Sequence, residues 1–203
     1  MIYVIRHGET EKNRAYALQG RSDLPLNEKG REQAADAGKR IRALGIEFSH
    51  VFSSPLVRAV ETAKLIAPDT GIITDDRLIE MDYGPYEGAD MNHLPPEVLF
   101  FFKDFVNNPA PHGMEQLSDV VKRTGSFIED IKELKGDILI STHAIAMKGG
   151  LEYLTPSSGG NYWATHIANC DVYAVSIKEG KYGIPGKVWE LEHGQVNERS
   201  NQG

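Results

Sequence analysis

The sequence contains a single cysteine, Cys170, among 203 residues. That excludes an intrachain disulfide, a redox pair and a cysteine-built metal cluster, and it suits a reducing cytoplasm, the expected location. No run of ~18 or more apolar residues occurs, so no membrane-spanning helix is expected. The opening apolar stretch is only five residues, MIYVI, with no basic region ahead of it, so it is not read as a signal peptide. Positive charge is in deficit: 22 Lys and Arg face 29 Asp and Glu, a formal net charge of -7. Such a surface argues against general binding to nucleic acid or anionic membrane. Any anion this chain binds must meet a local reversal of sign. Pro/Gly/Ser-rich linkers, low-complexity tracts and repeats are missing too. With 40% hydrophobic residues the chain is expected to build one core, over residues 1–203.

What is present alternates between strand-like and helix-like segments. MIYVI reads as a buried strand that stops abruptly at Arg6 and His7. Residues 27–44 read as an amphipathic helix capped by Asn27 and ended by Gly45, with Ala34, Gly38, Ile41 and Leu44 on one face. Val51 and Phe52 make a short strand, and Ser54-Pro55 supplies a cap and a first helical position for the next helix. Ile72 and Ile73 suggest a third strand, and a helix is predicted from Glu115 to Leu134. DILIST is a compact buried strand leading into His143 and another helix. DVYAVSI and KVWELEH read as two final strands, paired antiparallel across a turn.

Strands alternating with helices imply an α/β fold, a mainly parallel sheet covered on both faces. Ligand sites in such sheets lie beyond the carboxyl ends of strands. Arg6, His7 and His143 fall there, and Arg58 falls in the opening turn of a helix. There its guanidinium adds to the free N–H groups of the helix terminus. On an acidic chain this cationic cluster points to a specific small anion.

These residues occur within five ordered segments: RHGETEKN, LQGRSDLPLNEKGREQA, VFSSPLVRAVETA, RLIEMDYGPYEG and ILISTHAIAMKG. In this order they resemble the histidine phosphatase superfamily, also called the phosphoglycerate mutase-like family, over almost the whole chain. The resemblance implies a three-layer α/β/α sandwich with a mixed, mainly parallel sheet. It also implies ping-pong phosphoryl transfer, in which His7 attacks phosphorus and passes the group on from a phosphohistidine. Arg6, Arg58 and His143 match the phosphate-binding groups. Glu80, four residues before Gly84, matches the general acid. That role requires its protonated form, which burial beside an anionic phosphate favours.

The resemblance further implies a donor from Asn13, a substrate-facing loop at Gln19 and Gly20, and a phosphate contact from the N–H of Ala144, which stands where the family usually has glycine. No metal or other cofactor is expected. Residues 81–111 are expected to cover the site and set specificity, and 193–203 to form a loose tail. The short covering segment and polar tail favour a phosphatase over a mutase. The expected partner is a small phosphorylated metabolite, with a non-catalytic phospholigand-binding module as the remaining alternative and a homodimer through an apolar patch compatible with the sequence.

Overall fold

The computed structural model describes residues 1–178 and 180–191. In chain order its elements are β1 (Ile2–Arg6), α1 (Glu11–Arg14), α2 (Glu28–Ala43), β2 (Phe48–Ser53), α3 (Val57–Ile66), β3 (Ile72–Thr74), α4 (Pro96–Lys103) and α5 (Leu117–Ile131). They continue with β4 (Asp137–Thr142), α6 (Ala144–Leu154), α7 (Asn161–Ala164), β5 (Val172–Val175), β6 (Ile177–Lys178), β7 (Lys181–Tyr182), β8 (Gly186–Lys187) and α8 (Val188–Leu191).

Six strands form one sheet in the order β3-β2-β4-β1-β5-β8. The β3/β2, β2/β4 and β4/β1 pairs are parallel; β1/β5 and β5/β8 are antiparallel. Successive side chains of a strand point to opposite faces, so a strand buried on both sides must be apolar throughout. Strand β1 shows this directly. Tyr3 and Ile5 join Ala34, Ile41, Ala63 and Ile66 of α2 and α3 on one face, while Ile2 and Val4 join Phe127, Ile128, Met147 and Leu151 of α5 and α6 on the other. The expected three layers, α/β/α, are therefore present. A third apolar cluster lies outside the sheet, where Met81, Tyr83, Val98 and Phe101 pack on Val120, Ile145 and Trp163.

The predicted caps hold in part. Asn27 Oδ1 accepts the Gly30 N–H at 2.8 Å, and Gly45 ends that helix with φ 70°. Ser54-Pro55, however, does not open α3. The helix starts at Val57, with Leu56 in the cap position and no side-chain cap. Ser54 is instead drawn into the site described below. KVWELEH is also corrected: only Gly186–Lys187 pairs as a strand, and Val188–Leu191 turns into a short helix. Trp189 there lies under the Arg40 guanidinium, 3.9 Å from its ring centre, a contact that a helical turn at the sheet edge permits. Cys170 lies just before β5, not in a strand, with φ 60°. The expected tail, 193–203, lies outside the described residues.

The loop after β1 is pressed against α2 backbone to backbone. A Cβ on Gly30 would collide with the Glu9 backbone, and one on Gly8 with the Gly30 carbonyl. Substituting Gly30→Ala is expected to cost about 1–3 kcal/mol through this overpacking. It should also lower activity by displacing the loop that carries Gly8. Thermal unfolding and turnover of the same sample check both effects.

Candidate active site

Parallel pairing brings the expected residues to one end of the sheet. The β1/β4 register matches Arg6 with Thr142, so His7 and His143 leave neighbouring strands at the same level. The His7 N–H donates to the Thr142 carbonyl at 2.9 Å, and the two imidazole centres lie 5.1 Å apart. Strand β2, on the far side of β4, leads into α3 and delivers Arg58 from its first turn.

Arg58 is 0% exposed and fills the space between the two rings. Its Nε donates to His7 Nε2 at 3.3 Å and to His143 Nδ1 at 3.2 Å. Its Nη1 and Nη2 donate to the carbonyls of Ser22 and Gly20, each at 2.7 Å. These partners assign the tautomers. His7 Nδ1 donates to the Gly8 carbonyl at 2.7 Å, leaving the Nε2 lone pair facing the arginine. His143 accepts at Nδ1, so its Nε2 carries the proton, directed at Ser54 Oγ at 2.8 Å. Burial, reinforced by the Arg58 charge, holds both imidazoles well below the ordinary histidine range. Both are neutral at pH 7. Burial likewise brings Arg58 down to about 10, which leaves it a cation.

Arg6 donates from Nη1 to the Ile167 carbonyl at 2.6 Å, but its Nε is buried with no hydrogen-bond partner among the described residues. Gln19 resembles it: Oε1 accepts from Thr10 Oγ1 at 2.6 Å, while the buried Nε2 has no such partner. Two orphaned buried donors, one on the residue before His7 and one on the residue before the Gly20 that Arg58 holds, suit an anion with several acceptor oxygens. Asn13 is used structurally, since its side chain completes a capping box with Thr10 at the start of α1. Gly20 serves Arg58 through its carbonyl, and its N–H donates to Glu87 Oε2 at 2.9 Å.

Glu80, 4% exposed, reaches the first turn of α6. Oε1 accepts from the N–H groups of Met81 at 2.8 Å and Ala146 at 3.0 Å, and Oε2 accepts from Ile145 at 3.2 Å. The carboxyl thus does for α6 what its cap residue His143 does not, taking up free donors at the helix start. Ala144 is the first residue of that turn, between His143 and the Ile145 N–H that Glu80 accepts.

Several supporting residues escaped sequence reasoning. Asn169 Nδ2 donates to the His7 carbonyl at 2.9 Å. Arg123 of α5 donates to the carbonyls of Arg77 at 2.8 Å and Ile79 at 2.6 Å, and its Nε pairs with Glu115 at 2.7 Å. Glu115 in turn accepts from the Asp82 N–H at 3.1 Å, so the pair clamps the chain on both sides of Glu80. Glu87 binds Lys12, Ser22 and Gly20, tying the 81–111 segment to the loop that grips Arg58. Only an arginine on an otherwise amphipathic helix could have hinted at Arg123; nothing local marks Asn169. Among the described residues no group of three or more His, Cys, Asp or Glu is arranged to hold a metal ion, and no helix is long and apolar enough to cross a membrane.

Comparison with known proteins agrees with this geometry. Residues 2–188 match the sequence model of the histidine phosphatase superfamily, branch 1. The chain belongs to that superfamily. It is 34% identical over 202 residues to a protein named "Probable phosphoglycerate mutase GpmB" from Salmonella paratyphi B, covering 94% of this chain and 90% of the relative. Among solved structures, Bacillus stearothermophilus YhfR superposes with a TM-score of 0.80 at 28% identity, covering 90% of this chain and 94% of that one. A phosphoserine phosphatase from Entamoeba histolytica in complex with 3-phosphoglyceric acid shares the fold, with a TM-score of 0.76, 24% identity and coverage of 92% and 94%. Membership makes the chain a phosphatase or mutase of this superfamily.

The neutral histidines have a consequence for stability. Each has a folded value depressed below its unfolded value of about 6.5, so unfolding takes up protons in acid. Their contribution is complete above about pH 6.5 and is lost as pH falls from there toward the folded values. The melting temperature should therefore drop between pH 7 and 5, and His143→Gln should flatten that slope. A set of thermal melts across this range reads it directly.

Proposed function

We propose that the protein is a metal-independent phosphatase that hydrolyses a small phosphomonoester through a phosphohistidine on His7. The observation that carries this is the His7 ring itself. Nδ1 is committed to the Gly8 carbonyl, and the Nε2 lone pair faces the Arg58 N–H at 3.3 Å. An incoming phosphoryl oxygen takes over that N–H, which frees the lone pair for in-line attack and leaves the cation on the phosphate. Arg6 and Gln19 supply further donors, while His143 keeps its Nε2 proton on Ser54 and holds Arg58 through Nδ1. Catalysis of this kind is mostly positioning and stabilisation of spread negative charge.

In the first step the His7 Nε2–P bond forms as the ester P–O bond breaks, and the leaving alkoxide takes a proton from Glu80. Oε2 accepts one N–H where Oε1 accepts two, so Oε2 is the oxygen with room for that proton. In the second step water gives its proton back to Glu80, attacks phosphorus and breaks the P–N bond. His7 returns to its neutral state. Residues 81–111 act as the cover of the site, through Glu87 and the phenylalanine cluster.

A second reading, phosphoglycerate mutase, is favoured by the name of the relative at 34% identity. In that reaction the phosphohistidine returns its group to the substrate and not to water. Incubation with p-nitrophenyl phosphate and a panel of phosphorylated metabolites separates the two. Phosphate release is expected; interconversion of 2- and 3-phosphoglycerate without release would support the mutase. His7→Ala should remove turnover and phosphoenzyme labelling together, whereas full activity in that variant would sink the mechanism. Glu80→Gln should slow alkyl phosphates by roughly 100-fold or more, and p-nitrophenyl phosphate much less, because p-nitrophenolate leaves with little need of a proton. Equal losses would move the acid elsewhere.

A further inference from the structure

The peptide unit between His7 and Gly8 is held at both ends by side chains, one from α3 and one from the turn before β5. The His7 carbonyl accepts from Asn169 Nδ2 at 2.9 Å, and the Gly8 N–H donates to Thr62 Oγ1 at 3.1 Å. Thr62 is fully buried, one helical turn after Arg58. Its hydroxyl donates to the Arg58 carbonyl at 2.8 Å, the back-bond common to threonine inside a helix. That spends its proton and leaves its lone pairs, one of which takes the Gly8 N–H. One oxygen atom therefore joins the turn that carries Arg58 to the loop that carries His7.

Asn169 is set as firmly from the other side. The turn that bears it is closed by the Asp171 carboxylate, which accepts from the Ala168 N–H at 2.7 Å and pairs with Lys187 at 3.0 Å. The same turn is stitched to β1: the Cys170 N–H donates to the Arg6 carbonyl at 3.0 Å, and the Arg6 N–H to the Asp171 carbonyl at 3.2 Å. Cys170 takes φ 60° there, a left-handed conformation that a residue other than glycine keeps only where its surroundings over-determine it. A peptide group is planar, so its carbonyl and N–H turn together. Turning this one changes ψ of His7 and φ of Gly8 at once, and the second change carries the Gly8 carbonyl away from His7 Nδ1. Gly8 resists little by itself, being the permissive residue, and a Cβ at its position is excluded by the Gly30 carbonyl. The restraint must come from elsewhere.

We propose that Thr62 and Asn169 are positioning residues that lock the His7–Gly8 peptide from its two ends, and so hold the His7 ring with Nδ1 on the Gly8 carbonyl and Nε2 as the bare nitrogen. The lock deepens the role proposed for His7 and rests on it, but its first readout involves no phosphate.

That readout is the set of imidazole nitrogen resonances of the isotope-labelled protein, with the His7 signals identified by their absence from His7→Ala. In the native protein they should show Nδ1 protonated and Nε2 bare. Thr62→Val, which keeps the shape and removes the hydroxyl, should shift them toward exchange between the two tautomers, and Thr62→Ser should restore the native pattern. On p-nitrophenyl phosphate, Thr62→Val and Asn169→Ala should each lower kcat by roughly tenfold or more with KM much less changed, a loss of orientation and not of binding. Because either change alone releases the plane, the double variant should lose far less than the product of the two single losses. Unaltered His7 signals in both single variants, a full multiplication of the losses, or a lowered melting temperature with kcat intact would overturn the lock and leave both residues as packing supports. Should Thr62→Val not fold, Asn169→Ala carries the spectrum and the kcat, since Asn169 is half-buried in a turn. Should the native protein release no phosphate, the hydrolytic role of His7 fails and the His7 signals alone decide: disturbed in the variants they support the lock, unaltered they refute it.

Discussion

The buried guanidinium of Arg58 is the constraint on which the site depends. A cation shut off from solvent, with no carboxylate in contact among the described residues, must have its N–H groups taken by neutral acceptors. Here the acceptors are two backbone carbonyls and two imidazole nitrogens, from three separate parts of the chain. That demand fixes the turn at Gly20–Ser22, sets the tautomer of both histidines and keeps them neutral. The same demand couples α3 to β1 and β4 more tightly than apolar packing alone would. His7 and Arg58 are thus held together by one hydrogen bond to an imidazole, a contact that an anion can replace with a stronger one.

Beyond this centre the supports form a chain of backbone contacts. Glu80 is held between the first turn of α6 and the Arg123–Glu115 clamp, and Glu87 links the 81–111 segment to the loop around Arg58. Side chains in that segment divide by exposure: Phe101 is fully buried, while Phe100 is mostly exposed. The phenylalanine run therefore packs as core on one side and leaves its neighbours at the surface, as a short amphipathic helix must.

What was legible in the sequence was what short-range pattern controls. The continuous apolar strands, the Asn27 cap and the glycine stop of α2 follow from local preference, and the two histidines at strand ends follow from the topology of parallel sheets. Family resemblance, not physics, singled out Glu80. The misread elements are those that tertiary contacts override: Ser54 leaves its capping position for a bond with His143, and Val188–Leu191 turns into a helix that sets Trp189 under Arg40. Asn169 and Glu87, and Arg123 in its bonds to Arg77 and Ile79, act across many residues, and no short window of sequence contains both ends of such a bond.

Strand β1 lies in the middle of the sheet, yet both its neighbours, β4 and β5, come from the far part of the chain: Ile2 pairs with Ile138 and with Val175. During synthesis the first strand therefore emerges with both edges open and waits for most of the polypeptide before either is covered. Loop closure over such distances is slow, and an unpaired apolar strand is prone to wrong partners in the interval. The order of residues that brings His7 and His143 to neighbouring strand ends also leaves that strand uncovered until β4 arrives.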